Sequence, residues 1–155
     1  MKLSKNLSLR EAVRSTTAKR LGLKNEPDDP QITNLKLVAG HVFQPLRDHF
    51  EVPIYVSSGY RSPKLNSSIG GSATSQHCQG RALDLDADVF GKISNADIFF
   101  YIKECLDFDQ LIWEFGDDTN PDWVHVSYSS PSENRGRVLK AYKDPKYPGT
   151  TYRVW

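Results

Sequence analysis

The chain has 155 residues, a length suited to one domain that buries about 70% of its unfolded surface around one core. With 20 Lys+Arg against 19 Asp+Glu the formal charge is +1, which excludes a strong field for gathering nucleic acid or an anionic membrane. A hydrophobic content of 38% with 25% charged residues excludes a disordered chain, and two cysteines, Cys78 and Cys105, are too few for a disulfide scaffold.

In chain order, Ser8-Leu9-Arg10-Glu11 places a hydroxyl and a carboxylate three residues apart, where each can satisfy a free N–H of a helix start. Leu9, Val13, Thr17 and Leu21 then recur at spacings of four up to Gly22, predicting one amphipathic helix over Leu7 to Gly22. The proline-punctuated stretch Asn25 to Pro30 reads as a loop. A second helix carries Ile32, Leu35, Ala39, Val42, Leu46 and Phe50 on one stripe, with Pro45 expected to kink or interrupt it for want of an N–H. Ile54-Tyr55-Val56 is β-branched and aromatic, hence a short strand. Ser62 to Gly80, dense in Ser, Gly and Asn, is expected to be one long loop of the kind that carries function. Arg81 to Asp86 alternates, with Ala82, Asp84 and Asp86 on one face and Leu83 and Leu85 on the other. Ser94 to Leu106 predicts a helix capped by Ser94 and Asp97, with Ile98, Ile102 and Cys105 buried. Leu111 to Phe115 and Trp123 to Tyr128 predict a hairpin, Arg137 to Tyr142 one more strand, and the segment from Asp144 an irregular tail. The expected organisation is a single domain over 1–155: a helical lead-in over about 7–50, sheet and loops over about 51–142, and the tail over 143–155. No apolar run approaches the ~20 residues of a membrane span and no signal peptide is visible, so the expectation is a protein made in the cytoplasm, with no stable membrane insertion and reduced thiols.

Three residues stand out chemically. His125 shares a strand face with Trp123 and Ser127, away from Val124 and Val126, and Asp84 likewise points away from Leu83 and Leu85. His77 ends the polar loop and can be brought beside them. Two imidazoles and one carboxylate, with a fourth position open, are the ligand set of a catalytic zinc site, whereas structural zinc takes four protein ligands. Spacing alone does not decide between that reading and three solvated or structural side chains. Cys78 adjoins His77 but has no partner base in its neighbourhood, and Gly70-Gly71 lacks the strand-loop-helix setting of a phosphate cradle. His41 and His49 read as ordinary surface positions on the second helix.

The order of Ser57-Ser58-Gly59-Tyr60-Arg61-Ser62-Pro63, Leu65-Asn66, Gly70-Gly71-Ser72, Ser75-Gln76-His77, Gly80-Arg81-Ala82, Asp84 and Trp123-Val124-His125-Val126-Ser127 resembles the zinc-dependent D-Ala-D-Ala carboxypeptidase and endolysin family, peptidase M15, close to its phage and prophage branch. Leu9-Arg10-Glu11 and Gln44-Pro45-Leu46-Arg47-Asp48 look like the helical lead-in of that branch, so the resemblance runs from about Leu7 to Tyr128. It implies an α+β fold, a small antiparallel sheet with helices on one side as in Hedgehog and D,D-peptidase domains. It also implies Zn2+ held by His77, Asp84 and His125, and hydrolysis of peptide bonds in peptidoglycan stem peptides, as a carboxypeptidase or an endopeptidase. Arg61 would hold substrate or polarise the scissile carbonyl, with Tyr60 and Ser75 beside it in substrate binding. The general base would be Asp122, three residues before His125. Glu114 is the competing base if its strand pairs with that of His125. Asp86 would accept the other N–H of a ligand imidazole, or simply be solvated. The rival expectation from a different class is a non-catalytic zinc-binding or wall-recognition module, or a structural part of a phage particle. No pattern specifies an oligomer, so a monomer is expected; a wall enzyme without a signal would need release by a phage or prophage route.

Overall fold

A computed structural model describes residues 1–155. It opens with a two-stranded antiparallel ribbon, β1 (Lys2–Ser4) and β2 (Leu7–Ser8), which the sequence pattern does not announce. The helix expected over Leu7 to Gly22 is two helices, α1 (Leu9–Val13) and α2 (Thr16–Leu21). The break has a local cause. Ser15 leaves the helical conformation and its Oγ accepts the Ala18 N–H, so a residue read as helix interior is instead a cap. The Ser8–Glu11 capping box forms as expected.

The second helix is interrupted one turn ahead of Pro45. α3 (Asp29–Val38) passes into a π-helical turn over Ala39–Phe43 and then α4 (Gln44–Phe50). The widened turn lets the Gln44 N–H reach the Ala39 carbonyl just where Pro45 can donate nothing. The segment Ser62 to Gly80 is not all loop: α5 (Pro63–Ser68) starts with Ser62 accepting the Leu65 N–H, and a short 3-10 turn covers Gln76–Gln79. Proline at the first helical position and serine before it are start signals that the Ser-rich composition hides. α6 (Asn95–Cys105) has the predicted Ser94–Asp97 capping box, but Cys105 is exposed and Phe99 is the buried neighbour of Ile98 and Ile102.

The main sheet has six strands: β3 (Tyr55–Ser58), β4 (Ala82–Asp86), β5 (Gln110–Glu114), β6 (Trp123–Ser127), β7 (Arg137–Tyr142) and β8 (Thr151–Val154). Their order is β3-β4-β6-β5-β7-β8. The α+β class holds, but the sheet is mixed, because β7 runs parallel to β5. The tail expected to be irregular supplies β8, antiparallel to β7. On one face, register rows Leu83–Val126–Leu111 and Leu85–Val124–Trp113 cross β4, β6 and β5. These residues form one core with Leu35, Val42 and Phe43 of the α3–α4 unit and with Ile98, Phe99 and Ile102 of α6. Phe99 meets Trp113 edge-on at 5.1 Å. The opposite face carries Asp84, His125, Ile112, Glu114 and Trp123.

Asp109, immediately before β5, ties three segments together. Its buried carboxylate accepts from Arg135 Nε (3.0 Å), Arg135 Nη2 (2.8 Å), the Arg135 backbone N–H (3.0 Å) and Gln76 Nε2 (2.8 Å). The Arg135 hydrogen bonds, helped by that of Gln76 and opposed by burial, hold its carboxyl at about 2. Because that value lies below the unfolded one, the stabilisation is present above about pH 4 and is lost as pH falls toward 2. Asp109→Asn is expected to cost about 2 kcal/mol at pH 7 in chemical denaturation. The difference from the parent protein should shrink as the pH is lowered from 4 to 2; a difference independent of pH would contradict this account.

Candidate metal centre

Asp84, at the middle of β4, stands directly opposite His125 of β6, and Ala82 and Leu85 keep the two strands in that register. Asp84 Oδ1 lies 3.1 Å from His125 Nδ1 and 3.2 Å from His77 Nε2. The ligand-capable atoms of the three residues all lie within 4.8 Å of one another. His77 comes from the 3-10 turn, whose Ser75 cap accepts the His77 backbone N–H at 3.2 Å. The His77 ring is aimed by its other nitrogen, which lies 2.7 Å from the Gly59 carbonyl oxygen. A carbonyl only accepts, so Nδ1 carries the proton and Nε2 turns a lone pair toward Asp84. That leaves an acceptor nitrogen facing an acceptor oxygen, an arrangement that demands a cation or a shared proton between them.

Gly59 is required where it stands. A Cβ there would collide with the Ala12 carbonyl oxygen of α1, which also accepts the Tyr60 N–H. The helical lead-in thus presses on the residue that orients His77. Burial alone would raise the Asp84 carboxyl, but the charge of His77 when it is protonated and the hydrogen bonds the two imidazoles can then donate outweigh it and hold the group well below the usual carboxylate range. Arg61 Nη2 donates to Asp84 Oδ2 at 3.1 Å, and its Nε donates to Ser58 Oγ at 3.0 Å. Its third contact, Nη1 to Asn66 Oδ1, is long at 3.4 Å.

The three residues open on a cavity of about 610 Å³, also lined by Arg61, Ser75, Glu114 and Trp123. Glu114 lies on the same sheet face as His125, one register row along, and is only 8% exposed. Burial pushes its carboxyl up to about 7; the His125 charge opposes this, the Asp84 charge adds to it and Arg61 opposes it. Asp122 is placed elsewhere. It is exposed at the start of β6, lines a separate pocket with Gly116, Lys140 and Lys143, and gives the sheet only its backbone, its N–H donating to the Glu114 carbonyl. Three residues before His125 on a strand is the opposite face, so the spacing that suggested Asp122 carries it away from the ligands.

Two more expected site residues are not brought to the cavity. Tyr60 is buried and lines a pocket with Arg14 and Ser15 instead. Asp86 accepts from Asn95 Nδ2 and from the Asp88 N–H at the far end of β4 and touches neither imidazole; Gly59 O takes the ring N–H that Asp86 was expected to accept. His41 and His49 stack on Tyr128 and Tyr101, away from the centre. Asn66, part of the motif string but given no role there, donates from Nδ2 to the Ser72 carbonyl at 2.7 Å and holds the cavity-lining loop at Gly71 and Ser72.

A buried His-Asp-His group that can hold a metal ion, set on the open face of an α+β sheet, is the kind of centre found in metal-dependent hydrolases. A family model for Peptidase M15 matches residues 5–127, and the chain belongs to that family. No curated protein gives a significant match to the chain. The matched span contains the three ligand-capable residues, Arg61 and Glu114, and ends one residue before Tyr128.

Gly59→Ala is expected to lower the affinity for a divalent cation by about 10- to 100-fold, the range for lost support behind a ligand imidazole. Zinc competition against a chromogenic chelator measures it. Unchanged affinity in a folded variant would show that the Gly59 carbonyl does not aim His77.

Proposed function

We propose that the protein is a zinc-dependent peptidase acting on peptidoglycan stem peptides, as a D,D-carboxypeptidase or endopeptidase, with Glu114 as general base. The observation that carries this reading is one cavity holding His77, Asp84, His125 and the buried carboxylate of Glu114 together. The donor set suits zinc, two imidazole nitrogens and one carboxylate oxygen with a side left open. His77, Asp84 and His125 would hold the ion, which when bound supplies Lewis acidity and lowers the pKa of water at the site.

The protein's own groups then have distinct tasks. Glu114 accepts a proton from the attacking water on a carboxylate oxygen and returns it to the leaving amine. Glu114 would be favoured in its ionised form, the form a base needs, by a divalent ion held at His77, Asp84 and His125. Arg61 has its Nη2 and Nε committed to Asp84 and Ser58, so it is a positioning residue that fixes which carboxylate oxygen faces the imidazoles. Ser75 acts through the His77 turn. A binding module has no need of a buried carboxyl on the ligand face, which favours the enzyme over the non-catalytic alternative. No helix is long and apolar enough to cross a membrane. We place the substrate in the cell wall, reached by the protein as a single-domain monomer released by a phage or prophage route.

The zinc-loaded protein is expected to cleave a stem peptide ending in D-Ala-D-Ala or a cross-linked muropeptide, read by mass spectrometry, and to stop when a chelator removes the metal. Glu114→Gln should retain stoichiometric zinc and lose about 10²- to 10⁴-fold in kcat. Asp122→Asn should stay within about twofold of the parent. If Asp122→Asn abolishes turnover while Glu114→Gln does not, the base has been misassigned; if no stem-peptide bond is cut under any metal loading, the peptidase reading falls.

A further inference from the structure

The cavity does not end where the family match ends. Thr150 and Tyr152, from the segment beyond residue 127, line it together with Glu114 and Phe115. Their position follows from register. Glu114 pairs with Ala141 of β7, Ala141 pairs with Tyr152 of β8, and Glu114 pairs with Trp123 of β6. Trp123, Glu114, Ala141 and Tyr152 therefore form one row on the ligand face. Ala141 is fully buried and offers only a methyl group, so nothing tall stands between Glu114 and Tyr152. Two strand spacings separate their backbones by about 10 Å, and the phenol ring extends over part of that gap. The strand that carries Tyr152 is anchored from the other face. Trp155 packs against Trp113 at 5.2 Å and Phe99 at 4.9 Å, and its N–H donates to the Val138 carbonyl at 3.0 Å. Tyr152 itself stays about half exposed, 52%, on the cavity side.

We infer that Tyr152 is a substrate-binding residue, its hydroxyl donating a hydrogen bond to a backbone carbonyl of the bound peptide and its ring covering that stretch of chain. The contact falls on the leaving-amine side of the bond to be cut, because Glu114 delivers its proton there and Tyr152 lies beyond Glu114 from the ligands. This assignment rests on the peptidase reading proposed above. Burial, with the Glu114 and Asp84 charges, pushes the phenol up, so it remains a donor at neutral pH. Losing a contact made equally to bound substrate and transition state raises KM and leaves kcat alone.

The test compares the zinc-loaded protein with Tyr152→Phe and Tyr152→Ala, with Tyr147→Phe as a control at an exposed tail position outside the cavity. Tyr152→Phe should raise KM about three- to tenfold, the worth of one hydrogen bond, with kcat within about twofold; Tyr152→Ala should raise it further. Binding is measured separately by calorimetry with an uncleaved stem peptide in the Glu114→Gln background, where adding Tyr152→Phe should weaken Kd by the same factor. Unchanged KM and Kd in both variants, or a loss confined to kcat, would overturn the assignment, as would the absence of any peptide binding. If the parent protein cuts no peptide but the calorimetric difference persists, the hydrolase reading fails and the Tyr152 contact stands.

Discussion

One carboxylate oxygen carries the organisation of this molecule. Asp84 Oδ1 lies 3.1 Å from one imidazole nitrogen and 3.2 Å from another, with Asp84 and His77 both buried. Such a grouping is stable only with positive charge among the three, since the His77 lone pair and the Asp84 anion otherwise repel in a medium that screens poorly. The rest of the site is arranged to hold that grouping. β3 and β6 flank the strand of Asp84, Arg61 occupies the second oxygen, and the Gly59 carbonyl holds His77 in the only tautomer that leaves its inner nitrogen free.

The same sheet serves stability and chemistry by alternation. Leu83 and Leu85 pack against α3–α4 and α6, and the residue between them is therefore driven to the other face, opposite His125. The core is thus the device that aims the ligands. The cost appears at Glu114, a carboxyl kept among sheet residues where it is hard to ionise. A group held in that way adds little to stability, and strong ionic contacts lie elsewhere, as in the Asp109–Arg135 clamp at the opposite end of β5.

That clamp also explains how a short connection enters a parallel strand. Asp109 N–H donates to the Ser127 carbonyl, and the Asp109 carbonyl accepts from Arg137 at the start of β7, so one residue sets both neighbours of β5. With β7 in place, Lys140 of its core face lies 5.8 Å over Trp113 while Ala141 keeps the ligand face low. The open edge left by β7 is covered by β8, which brings an aromatic side chain to a cavity otherwise built by earlier parts of the chain.

Much of this was legible in the residues. Capping at Ser8 and Ser94, the hairpin of β5 and β6 and the alternation around Asp84 follow from local rules whose period or spacing is short, whereas the grouping of His77, Asp84 and His125 was expected only from the order of motifs along the whole chain. The π-helical turn ahead of Pro45, the helix hidden in the Ser-rich segment and the strand in the tail were not, because each is stabilised by partners distant in the chain or by start signals masked by composition. The choice between Asp122 and Glu114 shows the boundary most clearly. Position along a strand says that Asp122 faces away from His125, but only the pairing of β5 with β6 says that Glu114 faces toward it. The amino-acid order by itself determined which side chains were available for metal chemistry and which face of each strand they occupied, since side-chain direction alternates with every residue. Which of those faces meet, and hence which carboxyl and which tyrosine share the cavity with the ligands, was decided only by strand register in three dimensions, a consequence of core packing between segments far apart in the chain.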